Sequence, residues 1–207
     1  MKKVDKDILS AAYNISQFNS LKPEGIPNLD LYMDQVTTFI ENDLECLKRR
    51  KNDKIITKTM INNYTNDKIL PSPVQKKYTK EHIMLIVLIY HLKQILSVND
   101  IKPLLKPLVE KKENDPKRIT ELYKILNIIT DNNYKPADQI LNETVKNIKN
   151  LTIDIDNVSD QSFIMLAIAE LASQANVRKM LAERLIDMFC ANETEKEENK
   201  NTDKKSK

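Results

Sequence analysis

The chain has 207 residues, 41% of them apolar, and a formal net charge of +3, which suffices for one ordinary domain or two small ones. A single glycine, Gly25, and no tryptophan exclude a glycine-rich phosphate-cradling loop and argue against a large hairpin-built sheet, so a mostly helical fold is expected. Cys46 and Cys190 lie far apart without CxxC spacing, as expected of buried thiols in a reducing compartment. The opening MKKVDKDILSAAYN lacks a sustained apolar region, and no apolar run approaches the ~20 residues of a membrane span, so the expected setting is the cytoplasm, away from the membrane.

Taken in order, residues 5–18 have the spacing of an amphipathic helix with Ile8, Ala12, Ile15 and Phe18 inward. KPEGIPN, with two prolines and the glycine, is a turn or linker. Asn28 or Asp30 then caps a helix expected to run to Leu47, with Tyr32, Val36, Phe39, Ile40 and Leu47 buried. After a basic connector over 48–56, Thr57 can cap a second helix. At 100° per residue, Met60, Ile61, Tyr64 and the stem of Lys68 share one side; Thr59, Asn62 and Asn66 lie opposite, flanked by Lys58 and Asn63. Amides and hydroxyls on such a face suit base edges in a major groove, although the same residues suit any solvated helix. Pro71 and Pro73 forbid helix between 70 and 79, where one tight β-turn with little strand is expected. Thr79 caps a helix over 80–96 with Ile83, Val87, Leu88, Leu92 and Leu96 in its core. Ser97 and Asp100 form a capping box, and Pro103 is expected to limit the helix that follows to about a turn, or to kink it.

The remainder has the pattern of a separate helical bundle. Asp115 and Pro116 start a helix carrying Ile119, Leu122, Tyr123, Leu126 and Ile129 inward. Pro136 opens another with Ile140, Leu141, Val145 and Ile148 inward. Ser159 begins a long helix, apolar through Phe163, Leu166, Ile168, Leu171, Met180, Leu181, Leu185 and Phe189, whose first half needs burial from more than one side. Residues 191–207 are nearly all polar and are expected to be disordered.

Charge is unevenly spread. Between Lys48 and Lys80, ten Lys/Arg face two Asp, giving +8 in 33 residues and leaving −5 for the rest of the chain. A concentrated basic stretch is the footprint of a phosphate-binding surface; the bland reading is a lysine-rich solvated face.

MINNYTNDKILPS, residues 60–72, resembles TLRYYERIGLLPP, the recognition-helix signature of the MerR-type winged helix-turn-helix regulators, with Ile61, Tyr64, Ile69, Leu70 and Pro71 in matching places. The stretch that follows resembles that family's next segment at Tyr78, Thr79, Leu92, Ser97, Ile101 and Leu105. Asn62 and Asn63 stand where the signature has Arg-Tyr, and no glycine precedes Ile69. PNLDLYMDQVTTFI, residues 27–40, is similar to an uncharacterised bacterial domain-of-unknown-function family, taken as a remote relative of the same regulators. The resemblance implies a wing that touches phosphates, with Lys76 in the place of a wing arginine, and double-stranded DNA as partner.

Together these readings predict an N-terminal helix and linker (1–27), a MerR-like winged helix-turn-helix (28–105), a helical domain for dimerisation and effector sensing (106–190) and a polar tail (191–207). The expected DNA-contacting residues are Lys54, Lys58, Thr59, Asn62, Asn63, Asn66, Lys76, Lys77 and Tyr78. The function expected is a sequence-specific transcription regulator acting as a repressor and as a homodimer, with a small-molecule effector open; the alternative is a protein–protein adaptor without base reading. No cofactor is expected. His82 and His91, nine residues apart on one helix, do not form a metal pair. DIDNVSD lacks the glycine and glutamate of a calcium loop, and no nucleophile–base or paired-carboxylate set stands out, so an enzyme is not expected.

Overall fold

The computed structural model describes residues 12, 13, 15–109 and 116–190. The first half of the expected N-terminal helix, the Asp115 cap and the polar tail lie outside the described residues. The protein is mostly helical, with one two-stranded sheet among the described residues. In order these are β1 (Leu31–Tyr32), α1 (Met33–Asp43), α2 (Lys58–Asn66), β2 (Lys77–Tyr78), α3 (Lys80–Lys93), α4 (Val98–Val109), α5 (Pro116–Tyr134), α6 (Ala137–Leu151) and α7 (Asp160–Phe189). No helix of the described residues is long and apolar enough to cross a membrane.

The organising element is α3. Ile83, Met84, Leu85, Ile86, Val87, Ile89 and Tyr90 are all buried, so the helix is enclosed nearly all round by Val36 and Ile40 of α1, Ile61 and Tyr64 of α2, Ile101 and Leu105 of α4, and Ile119 and Tyr123 of α5. Its start is closed by a box in which the Thr79 amide donates to Nδ1 of His82 (3.2 Å) and the ring's Nε2 lies 3.3 Å from the Ser72 carbonyl. This fixes the neutral ring with its proton on Nε2, and burial lowers its pKa from the ordinary histidine value against the pull of the Ser72 carbonyl. A second, smaller apolar cluster joins Val145 and Ile148 of α6 to Phe163 of α7.

Several sequence expectations change in detail. Tyr32 is 53% exposed, not buried, because Leu31 and Tyr32 pair with Tyr78 and Lys77 as strand. α1 therefore begins only at Met33, where Gln35 accepts from the Tyr32 amide, and ends at Asp43, with Leu47 in a separate short turn. The helix from Thr79 stops at Lys93, not Leu96. The Ser97–Asp100 box forms as expected, with Asp100 N to Ser97 Oγ at 3.2 Å and Ser97 N to Asp100 Oδ2 at 2.9 Å. α4 nonetheless continues through Pro103 and Pro107 to Val109. The two prolines sit four apart, so both missing donors fall on one side, away from the fully buried Ile101 and Leu105 that anchor the opposite face. Cys46 is exposed and Cys190 half-buried, so neither is the deeply buried thiol expected; both are free.

On α5 the buried stripe is rotated from the predicted one. Leu122 and Ile129 are exposed, and the inward positions are Ile119, Tyr123, Asn127 and Asp131. The two polar residues clasp the chain before β1: Asp131 accepts from the Ser20 amide (2.7 Å) and pairs with Lys22, while Asn127 Nδ2 donates to the Leu21 carbonyl (2.7 Å). The clasp and the packing of α5 on α3 cross the expected boundary at residue 105. On α6, Val145 and Ile148 are buried as expected and Ile140 and Leu141 half-buried. On α7, Phe163 is buried, but Ile168, Met180, Leu181, Leu185 and Phe189 are exposed.

Candidate nucleic-acid interface

The helix start that positions the expected DNA-facing residues is capped as its sequence suggests: Thr57 Oγ1 accepts from the Met60 amide at 3.2 Å. Ile61 and Tyr64 are buried beneath α2, with Met60 half-buried beside them. Lys58, Thr59, Asn62, Asn63 and Asn66 are all exposed on the outer side. α2 thus presents one threonine and three amides to solvent with none of their side chains bonded to described residues.

The segment over 74–77 is a two-residue hairpin. Val74 and Lys77 exchange both backbone hydrogen bonds (3.0 and 2.9 Å), and the central Gln75 and Lys76 both have positive φ, 51° and 65°. Two successive left-handed residues are the mark of a type I′ turn, usually built from Asn-Gly. Here a glutamine and a lysine hold it, at a backbone cost of about 1 kcal/mol or more for each. Lys76 stands at the tip, exposed, and Lys77 is carried into β2.

Two interactions draw α2 and this turn to one place. The Lys58 ammonium, at the first position of α2, pairs with Asp34 in the first turn of α1. The Lys77 ammonium lies 5.3 Å from the centre of the Tyr32 ring, two residues earlier. The start of α1 therefore sits between the exposed helix and the turn, and both approach it through a lysine. Lys80 completes the cluster by donating to Asn28 Oδ1 at 3.0 Å.

Sequence reasoning missed the group that holds the basic connector. Glu41 of α1 accepts from the amides of Ile55 (2.6 Å) and Ile56 (3.2 Å) and pairs with Lys48 at 2.7 Å. Burial opposes its charge, but the Lys48 ammonium and the two amides outweigh it and hold the carboxyl below its ordinary value. A lone Glu inside an amphipathic helix carries no signal of this; only its distance from a run of cations hints at it. Lys48 is thereby neutralised, whereas Arg49, Arg50, Lys51 and Lys54 are exposed and pair with no described acid. Lys54, Thr57 and Lys58 line a polar groove of about 440 Å³ with Thr37, Thr38 and Glu41.

Tyr78 does not belong with the other residues expected to face DNA. It is 2% exposed, its ring packs edge-on against His82 at 5.7 Å, and burial raises its phenol pKa. The alternation of a strand explains this: with Lys77 outward, Tyr78 must point in. No group of three or more His, Cys, Asp or Glu able to hold a metal occurs among the described residues.

The fold and site thus define a mostly helical protein with an amide-lined helix, preceded by a basic connector, and a tight turn set around the start of α1. The chain belongs to the family described as Domain of unknown function (DUF1836), whose model matches residues 21–126, just over half its length. No curated protein and no solved structure matches it.

Proposed function

We propose that this protein is a sequence-specific double-stranded-DNA-binding transcription regulator whose head is a MerR-like winged helix-turn-helix, with α1 and α2 as the helix pair and the turn over 74–77 as the wing. The observation that carries the reading is the convergence of Lys58 and Lys77 on Asp34 and Tyr32, which leaves the amide face of α2 and the Lys76 tip flanking one helix start. Exposed asparagines can bond adenine edges in a major groove, and exposed lysines supply the phosphate pairing that sets register. Repression is the simpler mode, since it requires only occupancy of the site. Binding as a dimer follows from the modest affinity of one small head and the spacing of half-sites by the helical repeat.

The test is selection of bound duplexes from a random pool by the purified protein, followed by a salt titration. An enriched motif supports base reading; no enrichment with a steep salt slope would reduce the protein to a nonspecific binder, and no binding would favour the adaptor. The adaptor reading draws on the exposed apolar side chains of α7.

Two substitutions separate base reading from phosphate pairing. Asn62→Ala is expected to relax sequence preference by about 1–3 kcal/mol at one base pair, with the salt slope unchanged. Lys76→Gly relieves a left-handed lysine and removes a charge together. It should leave the melting temperature unchanged or raise it, yet weaken binding to all duplexes and reduce the salt slope by about 0.9 for each phosphate that Lys76 no longer neutralises. Wild-type affinity in both variants would leave α2 and the turn as scaffold alone.

A further inference from the structure

One side of α7 carries two apolar ridges, with Glu170 and Gln174 between them, and only the first ridge is covered. At 100° per residue, Phe163, Ala167 and Leu171 form a ridge at four-residue spacing, and Val177, Leu181, Leu185 and Phe189 form a second ridge on the same side. The first ridge meets α6, where Phe163 packs on Val145 and Ile148. α6 has 15 residues and α7 has 30, roughly 22 Å against 45 Å, so α6 ends where the second ridge begins. The back of this second half is fixed, with Ile186 buried and Ala182 and Cys190 packed into the main core. Its outward ridge is bare: Val177 is 54% exposed, Leu181 61%, Leu185 57% and Phe189 67%, with Met180 beside them at 56%.

We propose that this ridge is a self-association surface and that its occupant is the same ridge of a second copy. The residues that follow the helix, 191–207, contain one alanine and no larger apolar side chain, so their composition supplies no apolar partner for the ridge. The ridge itself holds only aliphatic and aromatic groups; Arg178 and Arg184 flank it, about 60° to either side of Leu181, and both are exposed, so their long stems can carry the charges to the rim when the ridge is apposed with itself. The exposed part amounts to on the order of 500 Å² per copy, and two copies reach the roughly 1,000 Å² that a specific interface requires. Ridges at four-residue spacing interlock with their own kind at about −50°, so the two helices cross near Leu181 and Leu185. The pairing deepens the proposed DNA reading, which calls for two heads, but its test involves no DNA.

Sedimentation of the full chain at tens of micromolar reads the pairing directly. The wild type is expected at twice the chain mass, with a melting temperature that rises with concentration. Leu181→Glu with Leu185→Glu should sediment at the chain mass with its helical circular dichroism retained, because both side chains are exposed in the single copy. Ile168→Glu, exposed on a different side of the covered half, should stay paired. A wild-type monomer would overturn the proposal and leave the ridge to a different protein, as would a double variant that stays dimeric, or an Ile168 variant that alone dissociates. A dimer that selects no DNA would overturn the functional reading and leave the pairing intact.

Discussion

Glu41→Ala is expected to cost about 2–4 kcal/mol, while Glu41→Gln costs clearly less, because the carboxylate does two separable jobs. Its Oε1 accepts from the Ile55 and Ile56 amides, whose residues are buried, and its charge pairs with a Lys48 that is itself mostly shielded. Alanine leaves two amides without an acceptor and an ammonium without a partner. Glutamine keeps the acceptor and gives up only the charge. Because the amides immediately precede the Thr57 cap, the alanine variant should also loosen the start of α2 and weaken DNA binding beyond what its reduced stability explains. Urea denaturation of the three proteins checks the order, and equal midpoints for alanine and glutamine variants would refute the division of roles.

Asp131→Asn should remove about 2 kcal/mol at neutral pH and much less in acid. Burial opposes the charge of Asp131, but the Lys22 ammonium and the Ser20 amide and hydroxyl outweigh it and bring its pKa down to about 2, against an ordinary 3.8. The folded carboxyl thus takes up a proton less readily than the unfolded one. Above pH 3.8 both states are ionised and the contribution is full; between 3.8 and 2 the unfolded chain binds the proton first and the contribution drains away. The difference in urea midpoint between wild type and variant is therefore expected to shrink from pH 7 to pH 3. A pH-independent difference would mean that the clasp of α5 on residues 20–22 works by shape and not by charge.

How far the chain announces this architecture varies by element. The capping residues are legible because the chemistry is local: Thr57, Ser97 and Ser159 each accept from an amide three residues on, as their positions suggest. The outer face of α2 is legible from 3.6-residue periodicity alone. Tyr32 and Tyr78 mislead for a common reason: a two-residue strand has too little alternation to detect, and it forms only when Leu31 meets Tyr78 and Tyr32 meets Lys77, partners far apart in the chain. Asn127 and Asp131 are invisible because a polar residue on a helix reads as solvent-facing unless its distant partner is known. Pro103 points to a stop after about a turn, or to a kink; the helix runs on to Val109, since the apolar anchorage of the opposite face is tertiary. The general identity of the family is legible in the LDLYMDQV stretch, which lies inside the matched residues 21–126.

α7 has one further consequence for the way the molecule carries force. Among the described residues its first half is seated in the small cluster through Phe163 and its second half in the main core through Ile186, on a continuous run of helical hydrogen bonds. A helix held at both ends is a strut: tilting the half that carries Leu181 must lever Phe163, 18 residues or about 27 Å away, against α6. Anything that seats on the outer half is therefore felt both in the main core that holds Ile186 and at the far end of the helix, against α6.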